Sequence, residues 1–190
     1  MSVVKLINSG YKSPEQMMNL INYIVSDQKH KINGMTGGNM ILTGTPQYIY
    51  DQMMYFKNCY NKAHGRFMRH IIVSLSEFES QNINDCTLYL IAAEICNLFP
   101  EHQSLFAIHH ETGRPHIHIA LNTVSFTDGA KIRINLAEVQ TAIGHIFAKY
   151  VSDQHICSQP DTCLSFYSTY HHTDKIGMKL QDLGSCYSIY

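Results

Sequence analysis

The sequence predicts an α+β domain in which an antiparallel sheet is covered on one face by helices. Three observations lead there. Apolar residues recur at helical spacing in four separate stretches, short runs rich in branched aliphatics lie between them, and two such runs flank a turn of hairpin form. Residues 3–7 are the first β-branched run. Ser13-Pro14-Glu15 then has the form of a helix start, with Ser as cap and Pro at the first helical position, and Met17, Leu20, Ile21, Ile24 and Val25 follow on one face. Residues 33–45 hold Gly34, Gly37, Gly38 and Gly44, which predicts an irregular connection with one short strand at 40–42.

A second helix is expected over 46–61 and a strand over 69–75. A third helix is expected over 85–99, where Leu88, Ile91, Ala92, Ile95, Leu98 and Phe99 share a face until Pro100 closes it. Residues 105–109 and 116–124 read as strands joined by a turn containing Gly113 and Pro115. The fourth helix is expected over 136–151, since Val139, Ile143, Ile146, Phe147 and Tyr150 keep the period through Gly144. No repeat, low-complexity tract or linker divides the chain, so residues 1–190 are expected to form a single domain, whether or not a longer protein continues beyond it.

Composition narrows the function. The 190 residues carry 14 basic and 15 acidic side chains, 12 histidines and 45% hydrophobic residues, enough for one real core. No apolar run approaches a membrane span and residues 1–10 lack the h-region of a signal peptide, so a cytoplasmic setting is expected, with no membrane partner. Six cysteines without a Cys-x-x-Cys pair are expected to be mostly reduced thiols. A net charge of −1 does not advertise nucleic-acid binding, so any such charge must be local. It is local between Asp51 and Glu77, where Lys57, Lys62, Arg66 and Arg69 interleave with Tyr55, Phe56, Tyr60 and Phe67 and no acid intervenes. A solvated helix face is the ordinary reading of that segment. A track for single-stranded nucleic acid, combining phosphate neutralisation with base stacking, is the functional one.

The chemistry lies in His109-His110-Glu111-Thr112-Gly113-Arg114-Pro115-His116-Ile117-His118-Ile119-Ala120-Leu121-Asn122. Residues two apart on a strand share a face, so His116, His118 and Asn122 point one way and Ile117, Ile119 and Leu121 the other. An antiparallel return pairing His109 with His116 would bring a third imidazole to the polar face. A lone histidine would be packing or surface, but buried unpaired imidazoles are costly and three in this pattern read as a metal site. Imidazole suits borderline cations such as Mn, Co, Ni, Cu or Zn, and three ligands leave positions open, a catalytic layout. His110, out of phase, should turn to the opposite face. Glu111 is a candidate ligand or a partner that orients one.

These residues resemble the relaxase (mobilisation nuclease) family of the HUH endonuclease superfamily over roughly residues 17 to 150. The matching motifs are Tyr23-Ile24, then His70-Ile71-Ile72-Val73-Ser74, then His109-His110-Glu111-Thr112 through His116, His118 and Asn122. The resemblance implies a five-stranded antiparallel sheet with helices packed on one face and the triad exposed on the other. It implies nicking and rejoining of one strand of origin-of-transfer DNA in a bacterial cytoplasm, for conjugation or mobilisation, alongside accessory relaxosome and coupling proteins. The cofactor it implies is a divalent cation at His109, His116 and His118, Mn or Mg first and Zn, Co or Ni after them. Tyr23 would attack the phosphodiester, with Glu111 or a histidine of the cluster taking its proton, because a tyrosine phenol, with a pKa of about 10, is ionised to only about one part in a thousand at neutral pH. Ser74 would contact DNA, His70 and Asn122 would support the site, and Lys57, Lys62, Arg66, Arg69 and Arg114 would neutralise phosphates, with Lys131 and Arg133 flanking.

Two rival readings remain at this level. A rolling-circle initiator or transposase of the same superfamily would place its nucleophile downstream, at Tyr150. A non-catalytic metal- or DNA-binding module could use His155, Cys157, Cys163, His171 and His172 as a zinc site, although their spacing is irregular.

Overall fold

The computed structural model describes residues 2–7, 10–26, 35–110 and 113–152. All belong to the compact unit Met1–Ile156, and the second unit, Cys157–Tyr190, lies outside the described residues together with the candidate zinc ligands within it. In chain order the elements are β1 (Val3–Ile7), α1 (Pro14–Ile24), β2 (Thr36–Asn39), α2 (Pro46–Cys59), β3 (Met68–Ser74), α3 (Glu77–Asn82), α4 (Asp85–Cys96), β4 (His102–His109), β5 (His116–Ser125) and α5 (Leu136–Ser152). The strands form one five-stranded antiparallel sheet in the order β1-β3-β5-β4-β2, the expected α+β class.

Alternation along β5 divides the molecule. Ile117, Ile119 and Leu121 join Ile71, Val73, Phe106 and Ile108 beneath Leu88, Ile91 and Ile95 of α4 and Ile143 and Phe147 of α5. On the other face, Leu105, Ala107 and Ala120 lie under Met17, Leu20, Ile21 and Ile24 of α1 and Ile49 and Met53 of α2. The helices therefore divide between the two faces instead of gathering on one. The small side chains Ala107 and Ala120 make room for α1 on the histidine face, which the resemblance implied would be open.

Local chemistry sets the helix starts. Ser13 accepts from the Gln16 amide ahead of Pro14, Thr45 accepts from Tyr48 ahead of Pro46, and Asn84 accepts from Thr87. Ser76 and Glu79 form a capping box, which opens the short α3, a helix too brief to show an apolar period in the sequence. The second strand lies at Thr36–Asn39, not at 40–42. Its Gly37-Gly38 pair reads as a loop but is needed for close approach. A Cβ on Gly37 would sit 2.5 Å from Tyr89 Oη and 2.6 Å from Phe106 Cζ, and one on Gly38 would strike the Ser104 carbonyl. Among the described residues Cys59 and Cys96 are free thiols and Cys86 is disulfide-bonded. Among the described residues no helix is long and apolar enough to cross a membrane.

Candidate metal and nicking site

Register builds the triad. β4 and β5 pair His109 with His116 and Ala107 with His118, so the three histidines fall on one face at the hairpin end of the sheet. One nitrogen from each lies within 4.8 Å of the others. Their ring centroids are 4.4 Å (His109–His118), 4.8 Å (His116–His118) and 5.6 Å (His109–His116) apart. The cluster is not exposed as the resemblance implied: His109, His116 and His118 are 0%, 8% and 2% accessible, because the end of α1 closes over them.

The outer bonds of these rings test whether a cation fits. His109 Nε2 donates to the Ile24 carbonyl at 2.9 Å, His118 Nδ1 lies 2.9 Å from His70 Nε2, and His116 Nδ1 faces the Arg114 carbonyl at 3.3 Å. Each imidazole is thus held through one nitrogen and offers the other to the cluster, the arrangement that orients ligating histidines. Burial, then the neighbouring His109, pushes the His70 pKa down to about 4, so His70 stays neutral. Three buried imidazoles oriented in this way fit a divalent cation.

Tyr23 occupies the last turn of α1, 38% exposed, with its ring 5.2 Å from that of His118 and 5.6 Å from that of His109, edge-on to both. Its helix partners Met17, Leu20, Ile21 and Ile24 are buried, so the apolar stripe seats the helix and leaves Tyr23 at the rim. Tyr150 packs against the core cluster on the opposite face, away from the triad. Glu111 lies outside the described residues. His110 turns away as expected, its Nε2 2.9 Å from Asp85 Oδ1 in the first turn of α4.

The remaining assignments separate. Ser74 is the cross-strand neighbour of His116, half-buried on the triad's face. Arg114 is exposed two residues before His116. Lys57, by contrast, is 0% accessible and its ammonium is turned into the protein. Its Nζ donates to the Phe67 carbonyl (2.7 Å), to Asn122 Oδ1 and to Thr123 Oγ1 (3.3 Å); burial, then Lys131, draws its pKa down to about 7 against the hold of these oxygens. Asn122 Nδ2 in turn donates to the Met53 carbonyl and Gln103 Oε1, so Asn122 seats α2 and not the triad.

Lys62 donates to the Gly129 carbonyl and Tyr60 to the Phe126 and Thr127 carbonyls, which ties the interleaved segment to the loop after β5. Arg69 pairs with Leu121, which faces α4 and α5, and lies roughly 16 Å along β3 from Ser74 at about 3.3 Å per residue. It is on the face opposite the triad and near the far end of β3. Arg66 is half-buried beside it, its carbonyl taken by Thr123.

Two residues on the triad's face were not singled out from the sequence. Lys5 is exposed and paired with Ile72, itself paired with His118, so it continues the triad's row onto the edge strand. Tyr11 reaches His70 Nδ1 with its hydroxyl at 2.9 Å. Alternation on β1 marks Lys5 once the strand order is known; nothing distinguishes Tyr11 among 12 tyrosines. A family model described as "Relaxase: MobA/VirD2-like, nuclease domain" matches residues 23–150, and no curated protein matches the chain.

Proposed function

The chain belongs to the relaxase family, matching its MobA/VirD2-like nuclease domain, and from that membership we propose that it nicks and rejoins one strand of origin-of-transfer DNA, with Tyr23 as nucleophile, for conjugative transfer or mobilisation from a bacterial cytoplasm. The observation that carries the reading is the contact of the Tyr23 ring with those of His109 and His118 at 5.6 and 5.2 Å.

His109, His116 and His118 would hold a divalent cation, Mn or Mg first. When bound, that cation supplies positive charge to offset what builds on the oxygens of the scissile phosphate. The tyrosine oxygen attacks phosphorus, the bond from phosphorus to the 3′ oxygen breaks, and the products are a 5′-phosphotyrosine and a free 3′-hydroxyl. Glu111, two residues after His109 in the sequence, or a histidine of the cluster takes the phenolic proton. The covalent ester conserves the phosphodiester bond energy, so attack by a 3′-hydroxyl reverses the step and reseals the strand. Ser74, Arg114 and Lys5, which share the triad's face or adjoin it, contact the phosphates flanking the cut. Accessory relaxosome and coupling proteins complete the setting.

The test is incubation of the protein with labelled single-stranded origin-region DNA and Mn²⁺, followed by mass spectrometry. A nucleotide adduct on the peptide containing Tyr23, absent from Tyr23→Phe and retained in Tyr150→Phe, is expected. An adduct lost only in Tyr150→Phe overturns the assignment.

A further inference from the structure

We propose that Tyr11 and His70 are positioning residues that set the tautomer of His118, so that its Nε2 is the nitrogen presented to the cation; the inference rests on the triad being a metal site. The chain of contacts is short. Tyr11 Oη lies 2.9 Å from His70 Nδ1, and His70 Nε2 lies 2.9 Å from His118 Nδ1.

Proton bookkeeping gives the chain one direction. A neutral imidazole has one N–H and one lone pair. If His118 gives the Nε2 lone pair to a cation, its Nδ1 carries the proton and must donate to His70 Nε2. His70 Nε2 is then an acceptor, so the proton of His70 is on Nδ1 and is donated to the Tyr11 oxygen. Tyr11 can accept it because a phenol hydroxyl both donates and accepts. With the Tyr11 oxygen removed, the Nδ1 proton of His70 is left buried without an acceptor, a cost relieved by moving that proton to Nε2. His70 then donates to His118 Nδ1, and the proton of His118 passes to Nε2, where no cation can bind.

The backbone supports a role that repays strain. Tyr11 sits at φ +58°, a left-handed conformation unfavourable for a residue with a side chain of this size, next to Gly10 at +87°. It is pinned there by the Phe67 amide, which donates to the Tyr11 carbonyl at 2.7 Å, and its ring meets that of His70 edge-on at 5.8 Å. The loop between β1 and α1 is thereby bent so that one hydroxyl reaches His70, which is itself placed on β3 facing the triad side of the sheet.

The test is calorimetric titration of Mn²⁺ into the full chain and its variants without DNA, so the readout is independent of nicking. Tyr11→Phe is expected to weaken binding about threefold to tenfold, and His70→Ala about tenfold to a hundredfold. His70→Gln, whose amide oxygen can accept from His118 Nδ1, should recover most of the loss. Long-range proton–nitrogen spectra of metal-free Tyr11→Phe should show more of the Nε2-protonated form of His118 than wild type. Wild-type affinity in both Tyr11→Phe and His70→Ala overturns the proposal. So does a loss that follows the metal-free unfolding midpoint and is not recovered by His70→Gln. Mn²⁺ binding that is absent from wild type, or unaltered by His118→Ala, overturns the metal site itself and the positioning role with it.

Discussion

His109 donates from Nε2 to the carbonyl oxygen of Ile24, the residue next to Tyr23, at 2.9 Å. One hydrogen bond therefore fixes which nitrogen of His109 faces the cluster and where the last turn of α1 lies. The two are separated by 85 positions in sequence. The bond couples the triad to the placement of the proposed nucleophile, so a cation that tightens the triad should also hold the end of α1. With Mn²⁺ at a hundred times its Kd, wild type should gain about 2.7 kcal/mol, or about 5–10 °C in Tm, and lose it on chelation. His109→Gln can keep a donor to Ile24 but offers no imidazole, so its Tm should not respond to Mn²⁺. Calorimetry with and without EDTA decides; an equal response in the variant refutes the ligand assignment.

Lys57 should behave as a core residue. In Lys57→Met, Asn122 Oδ1 still receives the Val124 amide and the Phe67 carbonyl still receives Thr123, so the loss should be moderate, about 1–3 kcal/mol. The pH dependence has a definite sign. The folded pKa is lowered to about 7 from 10.5, so between those values the unfolded chain binds a proton that the folded one has released. Stability from this group therefore rises with pH across that window, and the cost of Lys57→Met should be larger at pH 9 than at pH 7. Urea unfolding of both proteins at several pH values reads it directly; a cost that shrinks as pH rises refutes the burial argument.

The sheet and its histidines were legible because strand alternation is a short-range pattern: once His116 and His118 share a face, the intervening turn suffices to bring His109 opposite His116. The side on which α1 packs was not. Its stripe of Met17, Leu20, Ile21 and Ile24 shows only that some surface must receive it. The clue that this surface is the histidine face lies in Ala107 and Ala120, whose small size has meaning only when both are known to be neighbours. Lys57 misled for the same reason. A lysine among aromatics reads as solvated, and the carboxamide that holds it is 65 positions away. Ser76-x-x-Glu79 was a readable helix start that passed unused.

Basic residues on the triad's face should govern affinity for single-stranded DNA, and those of the interleaved segment should not. Arg114→Ala and Lys5→Ala should each lower the salt dependence of binding by about 0.7 in the slope of log K against log salt, the effect of one lost phosphate contact. Arg69→Ala, turned to the α4 and α5 face, should leave the slope unchanged. Fluorescence anisotropy at graded salt distinguishes them, and a slope that falls for Arg69→Ala alone would move the DNA track to the other side of the sheet.

The two kinds of glycine make the last prediction, since the same substitution should act with opposite sign at each. On β2, the edge strand beside β4, a Cβ at Gly37 would lie 2.5 Å from Tyr89 Oη and 2.6 Å from Phe106 Cζ. Phe106 is buried, and Tyr89 is enclosed enough that burial pushes its pKa up to about 12, so neither ring has free space to yield. Gly37→Ala should therefore cost about 1–3 kcal/mol. Within α5, a Cβ at Gly144 meets nothing within 4 Å, and there glycine only weakens the helix. Gly144→Ala should stabilise by about 0.5–1 kcal/mol. Chemical denaturation of the pair reads both at once, and a neutral Gly37→Ala would mean that β2 does not press against Phe106 as the register requires.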